Sequence, residues 1–405
     1  MTSPEPQGEV AMKKFIFAAI GIGMLVSATT ATADVIKVGL IANFSGAFAI
    51  WGQQFKQAVD AYQNVHGKTV DGHEIRFIYR DNGGADPAKS RQHAEELILR
   101  EKVKFLAGFD LTPNALAVSE LITEAKVPTV IFNAATSIIT RKSPYFVRTS
   151  MTLQQYIAPL PTWAATEGKI KSSYLLVSDY AAGYDAEEIF IRNFEKEGGK
   201  IVGKDRIPLS VTDFAPYLER AGNSGAESVY IFMPAGAPSV AIIREFAKRG
   251  LKEKGVKLLA GGEVQEIFLP AIGDDVIGTI SGVHYTETNT NPENIILKKA
   301  LTDLFGKDAT PDMGSVGAWD GTKLIYDAIR THGPKITADQ FMEFVKGRKW
   351  DSPRGPVMID PAERDIIQKV YLRRVEKRDG KLVNIDFYAS EMVKDPWKLA
   401  NPNAR

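Results

Sequence analysis

The chain of 405 residues contains no cysteine. Disulfides are therefore excluded, and so is lipid attachment at a lipobox cysteine. Histidine is nearly as scarce: His66, His73, His93, His284 and His332 lie scattered and form no metal-ligand spacing. Neither sign of charge is in excess, since 50 Lys and Arg against 49 Asp and Glu leave a formal charge of +1. Such a balance gives no attraction for nucleic acid or an anionic membrane. After the N-terminal segment no apolar run approaches the roughly 20 residues of a membrane span. Catalytic signatures are missing too, with no GxSxG elbow, phosphate-binding P-loop or GxGxxG fingerprint beyond residue 33. A secreted α/β hydrolase would need a Ser-His-acid set that cannot be assembled here. Asp81-Asn82-Gly83-Gly84-Ala85-Asp86 lacks the closing glutamate of a calcium loop. No metal, cofactor or catalytic residue is expected.

What is present begins with an export signal. Met12-Lys13-Lys14 is a basic start, Phe15 to Val26 an apolar core, and Ala31-Thr32-Ala33 a small-residue cleavage site before Asp34. Residues 1–11 carry Glu5 and Glu9, which such a start disfavours, so Met12 is the expected initiator. Export without a lipid anchor points to a bacterial periplasm. Residues 34–405 are long enough for two domains of ordinary size.

The stretch Val35 to Phe55 organises the rest. Val35-Ile36-Lys37-Val38-Gly39-Leu40-Ile41 is a short β-branched run closed by Asn43 and Ser45-Gly46, and a helix follows from about Ile50. A strand, a small-residue loop and a helix start form a crevice of the kind where α/β sheets bind ligands. Ser45, Phe48 and Trp51 are its first candidate wall. Strands then alternate with helices: Ile75–Tyr79, Pro87–Arg100 with Asp86 as its cap, Val103–Ala107, a helix from Asn114 to Ala125, and Val127–Phe132. The same order restarts at Ser173 and runs to about Gly262. Helices at Pro292–Phe305, Val316–Thr331 and Ala338–Val345 follow, then the turn-rich Ser352-Pro353-Arg354-Gly355-Pro356 and a hairpin through Arg378-Asp379-Gly380-Lys381. The pattern predicts an α/β fold of two doubly wound lobes joined by a three-strand hinge. Lobe 1 would hold residues 34–150 and 284–354, and lobe 2 residues 151–283 and 355–405, with crossings near Ser150, Val283 and Arg354. Asp320, after Trp319, reads as a helical surface acid, with a place at the hinge cleft as the alternative.

Several pieces in this order resemble a known family. They are Ile36-Lys37-Val38-Gly39, Ser45-Gly46, Trp51-Gly52, Tyr79-Arg80-Asp81, Asp86-Pro87, Phe132-Asn133-Ala134-Ala135-Thr136, Tyr145-Phe146-Val147-Arg148-Thr149, Val177-Ser178-Asp179-Tyr180 and Thr212-Asp213-Phe214. Together the sequence resembles the type I periplasmic solute-binding proteins of ABC importers, the leucine/isoleucine/valine-binding group, with a leaning toward its aromatic-acid binders. The resemblance implies capture of a small carboxylate by hinge closure and delivery to a permease and its ATPase, by a monomer. It implies that Thr112, Ala134 and Thr136 hold the carboxylate through hydroxyls and amides, that Trp51 covers the ligand, and that Glu263 in Gly261-Gly262-Glu263-Val264 pairs with an ammonium. In Asp179-Tyr180-Ala181-Ala182-Gly183, Ala182 stands where the amino-acid binders carry a tyrosine, which leaves room for a larger ligand. If Glu263 does not face the pocket, Phe48, Trp51 and Phe109 argue for an unsaturated or aromatic acid without an α-amino group; a branched-chain amino acid or branched organic acid is the alternative, and Tyr180 is a further candidate contact. A periplasmic sensor that docks on a receptor shares every one of these features.

Overall fold

A computed structural model describes residues 34–404. The expected export signal and the Met12 start fall outside the described residues. Strand Val35–Ala42 lies inside a six-stranded sheet, in the order Thr69–Val70, His73–Asp81, Val35–Ala42, Phe105–Gly108, Thr129–Ile131, Phe146–Arg148. All of its pairings are parallel except that of the short edge strand Thr69–Val70. Val38, Leu40, Ile41 and Ala42 are fully buried. A continuous apolar run is what a parallel strand covered on both faces requires.

A second, seven-stranded sheet runs Lys381–Ala389, Tyr371–Arg378, Ile280–Val283, Lys257–Ala260, Ser228–Phe232, Ser172–Ser178, Lys200–Ile207. Its core is parallel, and the C-terminal hairpin adds two antiparallel strands at one edge. After Val283 the chain returns to the first sheet, where helices Pro292–Phe305 and Met313–His332 pack on helix Ala49–His66. Trp319 meets Tyr62 edge to face at 4.9 Å in that contact.

Three departures from the periodicity have local causes. The helix expected from Asn114 to Ala125 is two, Thr112–Leu116 and Ser119–Ala125, with Pro113 fixing the first turn of the former. The unassigned stretch after Ser150 forms short helices Leu153–Ile157 and Pro159–Ala165. The expected crossing at Arg354 falls inside a small antiparallel sheet of Lys349–Ser352, Gly355–Ile359 and Ile366–Ile367.

Where the chain passes between the sheets, Arg354 is buried at the centre. Its Nη1 donates to the Ser150 carbonyl at 2.8 Å and to Gln368 Oε1 at 2.6 Å. Its Nη2 donates to the Thr149 carbonyl at 2.8 Å and to Asp320 Oδ2 at 2.7 Å. Asp320 is not the surface acid that the sequence suggested. It sits on the inward face of helix Met313–His332, fully buried, and also accepts from Trp350 Nε1 and Ser352 Oγ. Removing one partner of a buried pair strands the other charge away from water. Asp320→Ala is therefore expected to lower the free energy of urea unfolding by about 3–5 kcal/mol; a loss below about 1 kcal/mol would contradict the role of the pair.

Candidate ligand-binding site

A cavity with ≈ 430 Å³ of space free of protein atoms takes its lining from loops that follow strands of both sheets. Trp51 enters because its helix presses on the first strand: Gly52 N donates to the Asn43 carbonyl at 3.0 Å, and a Cβ on Gly52 would lie 2.4 Å from that oxygen.

The loop after Phe105–Gly108 supplies the most polar part. Phe109 holds φ +60°, a strained conformation for a bulky side chain, and its amide donates to the Ile41 carbonyl at 2.7 Å. This turns its ring into the core with Ile41, Leu106 and Ile131, so Phe109 is not a cavity wall. Asp110, Leu111 and Thr112 face the cavity instead. Thr112 Oγ1 and Thr136 Oγ1 are 2.8 Å apart, with Thr112 in the lining and Thr136 behind it.

Other expected contacts are spent inside the protein. The Ala134 amide donates to the Phe109 carbonyl and its carbonyl accepts from Arg148 Nη1, both at 2.8 Å, while the neighbouring Ala135 lines the cavity. Ser45 Oγ donates to Asp81 Oδ2 at 2.6 Å, and Phe48 packs near Gly236; neither is in the lining. Glu263 is wholly buried, and its two oxygens accept from the amides of Met233 at 2.7 Å and Gly261 at 2.6 Å. It stands outside the lining, although Gly262 beside it belongs to it. Burial pushes the Glu263 carboxyl up to about 7 against the pull of those amides.

Tyr180 does line the cavity, stacked on Phe232 at 6.5 Å and 21° between ring planes. Ala182 lines it too. Its neighbour Gly183 allows the helix to start there, since a Cβ would fall 1.7 Å from the Ser178 carbonyl oxygen. Sequence reasoning missed Asp110, Asn133, Tyr156 and Gln265, all in the lining. Asp110 lay in a loop already singled out, but only the positive φ of Phe109 decides which way the loop faces. Asp110 is buried, and Asn43 Nδ2 donates to its Oδ2 at 2.5 Å. Burial raises its carboxyl to about 7, opposed by nearby amides and the Asn43 side chain. Among the described residues, no Lys, Arg or His lines the cavity.

The model of a family described as periplasmic binding protein matches residues 35–381. The chain belongs to that family. It is 42% identical over 387 residues to a Leu/Ile/Val-binding protein homolog 6 of Brucella melitensis, covering 95% of this chain and 99% of the relative. It is 46% identical to a solute binding protein of an ABC transporter from Rhodopseudomonas palustris HaA2, solved in complex with p-hydroxybenzoic acid, with TM-score 0.88 and coverage of 91% and 100%. A counterpart from Rhodopseudomonas palustris BisB5, in complex with 3,4-dihydroxy benzoic acid, is 41% identical with TM-score 0.86, covering 90% and 99%. The family is periplasmic, and no helix among the described residues is long and apolar enough to cross a membrane.

Glu263 provides a pH test of this placement. Its folded value of about 7 stands above the unfolded value near 4.5, so the native state holds the proton more tightly. Its stabilising share is complete below the unfolded value and is lost as pH rises through about 7. Relative to Glu263→Gln, the wild type should lose on the order of 3 kcal/mol of unfolding free energy between pH 5 and pH 8. Urea titrations at the two pH values measure it; a difference that does not change with pH would place the carboxylate in water.

Proposed function

We propose that this protein is the solute-capturing component of an ABC importer and that its solute is an aromatic carboxylic acid without an α-ammonium group. The observation that carries the reading is the cavity's chemistry. Trp51, Tyr156, Tyr180 and Phe232 supply flat apolar walls, while the donors are neutral: the Thr112 hydroxyl, the Trp51 indole N–H and the Gln265 amide. Neutral donors aimed at an anion make charge-assisted hydrogen bonds without a counter-ion. Glu263, the acid matched to an ammonium, is tied to two backbone amides. The aromatic acids bound by the two Rhodopseudomonas proteins support the same choice.

Capture works by closure. Residues 34–150 with 284–367 form one lobe, and residues 151–283 with 368–405 the other, hinged at the passages that Arg354 gathers. The acid docks on the Thr112 side, the second lobe brings Tyr180, Phe232 and Gln265 over it, and water leaves. The closed monomer, exported through its cleaved signal into the periplasm, then delivers the acid to a membrane permease powered by its ATPase. No bond is made or broken.

Calorimetric titration with 4-hydroxybenzoate, cinnamate and leucine tests the reading. Binding of an aromatic acid at least tenfold tighter than leucine is expected, and the reverse order would contradict it. Thr112→Ala removes a hydrogen bond to a charged group, so the same acid should bind more weakly by about 1.5–3 kcal/mol; undiminished affinity would remove Thr112 from the site.

A further inference from the structure

We infer that Asp110 makes this site selective for aromatic acids that carry a hydrogen-bond donor on the ring, a phenolic hydroxyl above all. The inference rests on the aromatic-acid reading and narrows it. A count of what the cavity offers leads there. Asp110 is only 2% exposed, its Oδ2 accepts from Asn43, and its Oδ1 has no hydrogen-bond partner in the protein. Asn133 Oδ1 is likewise unpartnered, because the Asn133 amide nitrogen is turned to the Asp110 carbonyl at 2.9 Å. The lining residues thus carry three unpartnered buried acceptor oxygens, Asp110 Oδ1, Asn133 Oδ1 and Gln265 Oε1, beside the unpartnered donors Trp51 Nε1 and Gln265 Nε2.

A ligand carboxylate is an acceptor only, so it can use the donors but leaves the oxygens of an ionised Asp110 and of Asn133 unsatisfied. Placed against Asp110 it would also set like charges together. An unsubstituted ring would cover the carboxylate oxygen with carbon and leave it dry and unpaired, the costly case for a polar atom. A ring hydroxyl supplies the missing proton donor and makes a short, charge-assisted O–H···O⁻ bond. A site built around such a bond rejects the analogue that lacks the hydroxyl far more strongly than an apolar pocket can. Asp110 is held for the purpose: Asn43 fixes one oxygen, and the turn at Phe109 directs the residue away from the core.

The test is calorimetric titration of the purified protein with 4-hydroxybenzoate and with benzoate, in the wild type and in Asp110→Leu and Asp110→Asn. The wild type is expected to bind 4-hydroxybenzoate at least about tenfold more tightly than benzoate. In Asp110→Leu the preference should collapse to within about twofold, and in Asp110→Asn, which keeps a neutral acceptor, it should shrink without vanishing. Equal wild-type affinities would overturn the inference and leave the aromatic-acid reading standing. A preference retained in Asp110→Leu, with both acids weakened by one factor, would also overturn it and reduce Asp110 to a partner of Asn43. Binding of neither acid to the wild type would remove the aromatic-acid reading, and this inference with it. Should Asp110→Leu fail to fold, the wild-type ratio and Asp110→Asn still decide.

Discussion

The guanidinium of Arg354 is the point on which the two sheets depend for their relation. It reaches the carbonyls of Thr149 and Ser150 where the chain first leaves the first sheet, Gln368 where it finally returns to the second, and Asp320 on a helix of the first. A buried ion pair adds little net stability over apolar packing, but breaking it is costly, and it fixes one arrangement of its neighbours. That is what a jointed protein needs at the joint. Away from it the halves touch through smaller contacts. One is the Ser137 amide donating to Asp185 Oδ2 at 2.8 Å, between a first-sheet loop and the helix Ala181–Lys196.

Holding the sheets this way turns the loops after their strands toward a shared cavity, and the cavity's chemistry follows from the burial of its polar groups. Hydrogen bonds gain strength where water is absent, so hydroxyl, indole and amide donors suffice for an anion without a lysine or arginine. The same burial makes each unpaired oxygen expensive. Selectivity in this site is therefore set as much by what a wrong ligand leaves unsatisfied as by what the right one contacts.

Much of this was legible in the sequence. The β-branched run at Val35, the Asp86 cap with Pro87 behind it, and the helix Pro292–Phe305 follow from side-chain periodicity and capping chemistry, which are local. Trp51, Thr112 and Tyr180 were found because strand ends and aromatic positions are visible in one dimension. Phe109 stands out in the sequence and Asp110 does not, because one residue with positive φ reverses which side chain faces the cavity. Which way Glu263 faces is not legible in the sequence, because its partners, the amides of Met233 and Gly261, come together only once the second sheet has formed. Asp320 was hidden in the same way, since its partners on Trp350, Ser352 and Arg354 lie at least 30 residues away.

The central claim is that two hinged halves close on one small acid, and the absence of native cysteine lets this be measured cleanly. Glu120 and Lys248 lie on helices of different halves with side chains 85% and 79% exposed. Spin labels on Glu120→Cys and Lys248→Cys report the distance between the halves by electron–electron resonance. Saturating 4-hydroxybenzoate should convert a broad distribution into a single narrow one; a distribution unchanged by that acid, under conditions where calorimetry shows it bound, would contradict capture by closure.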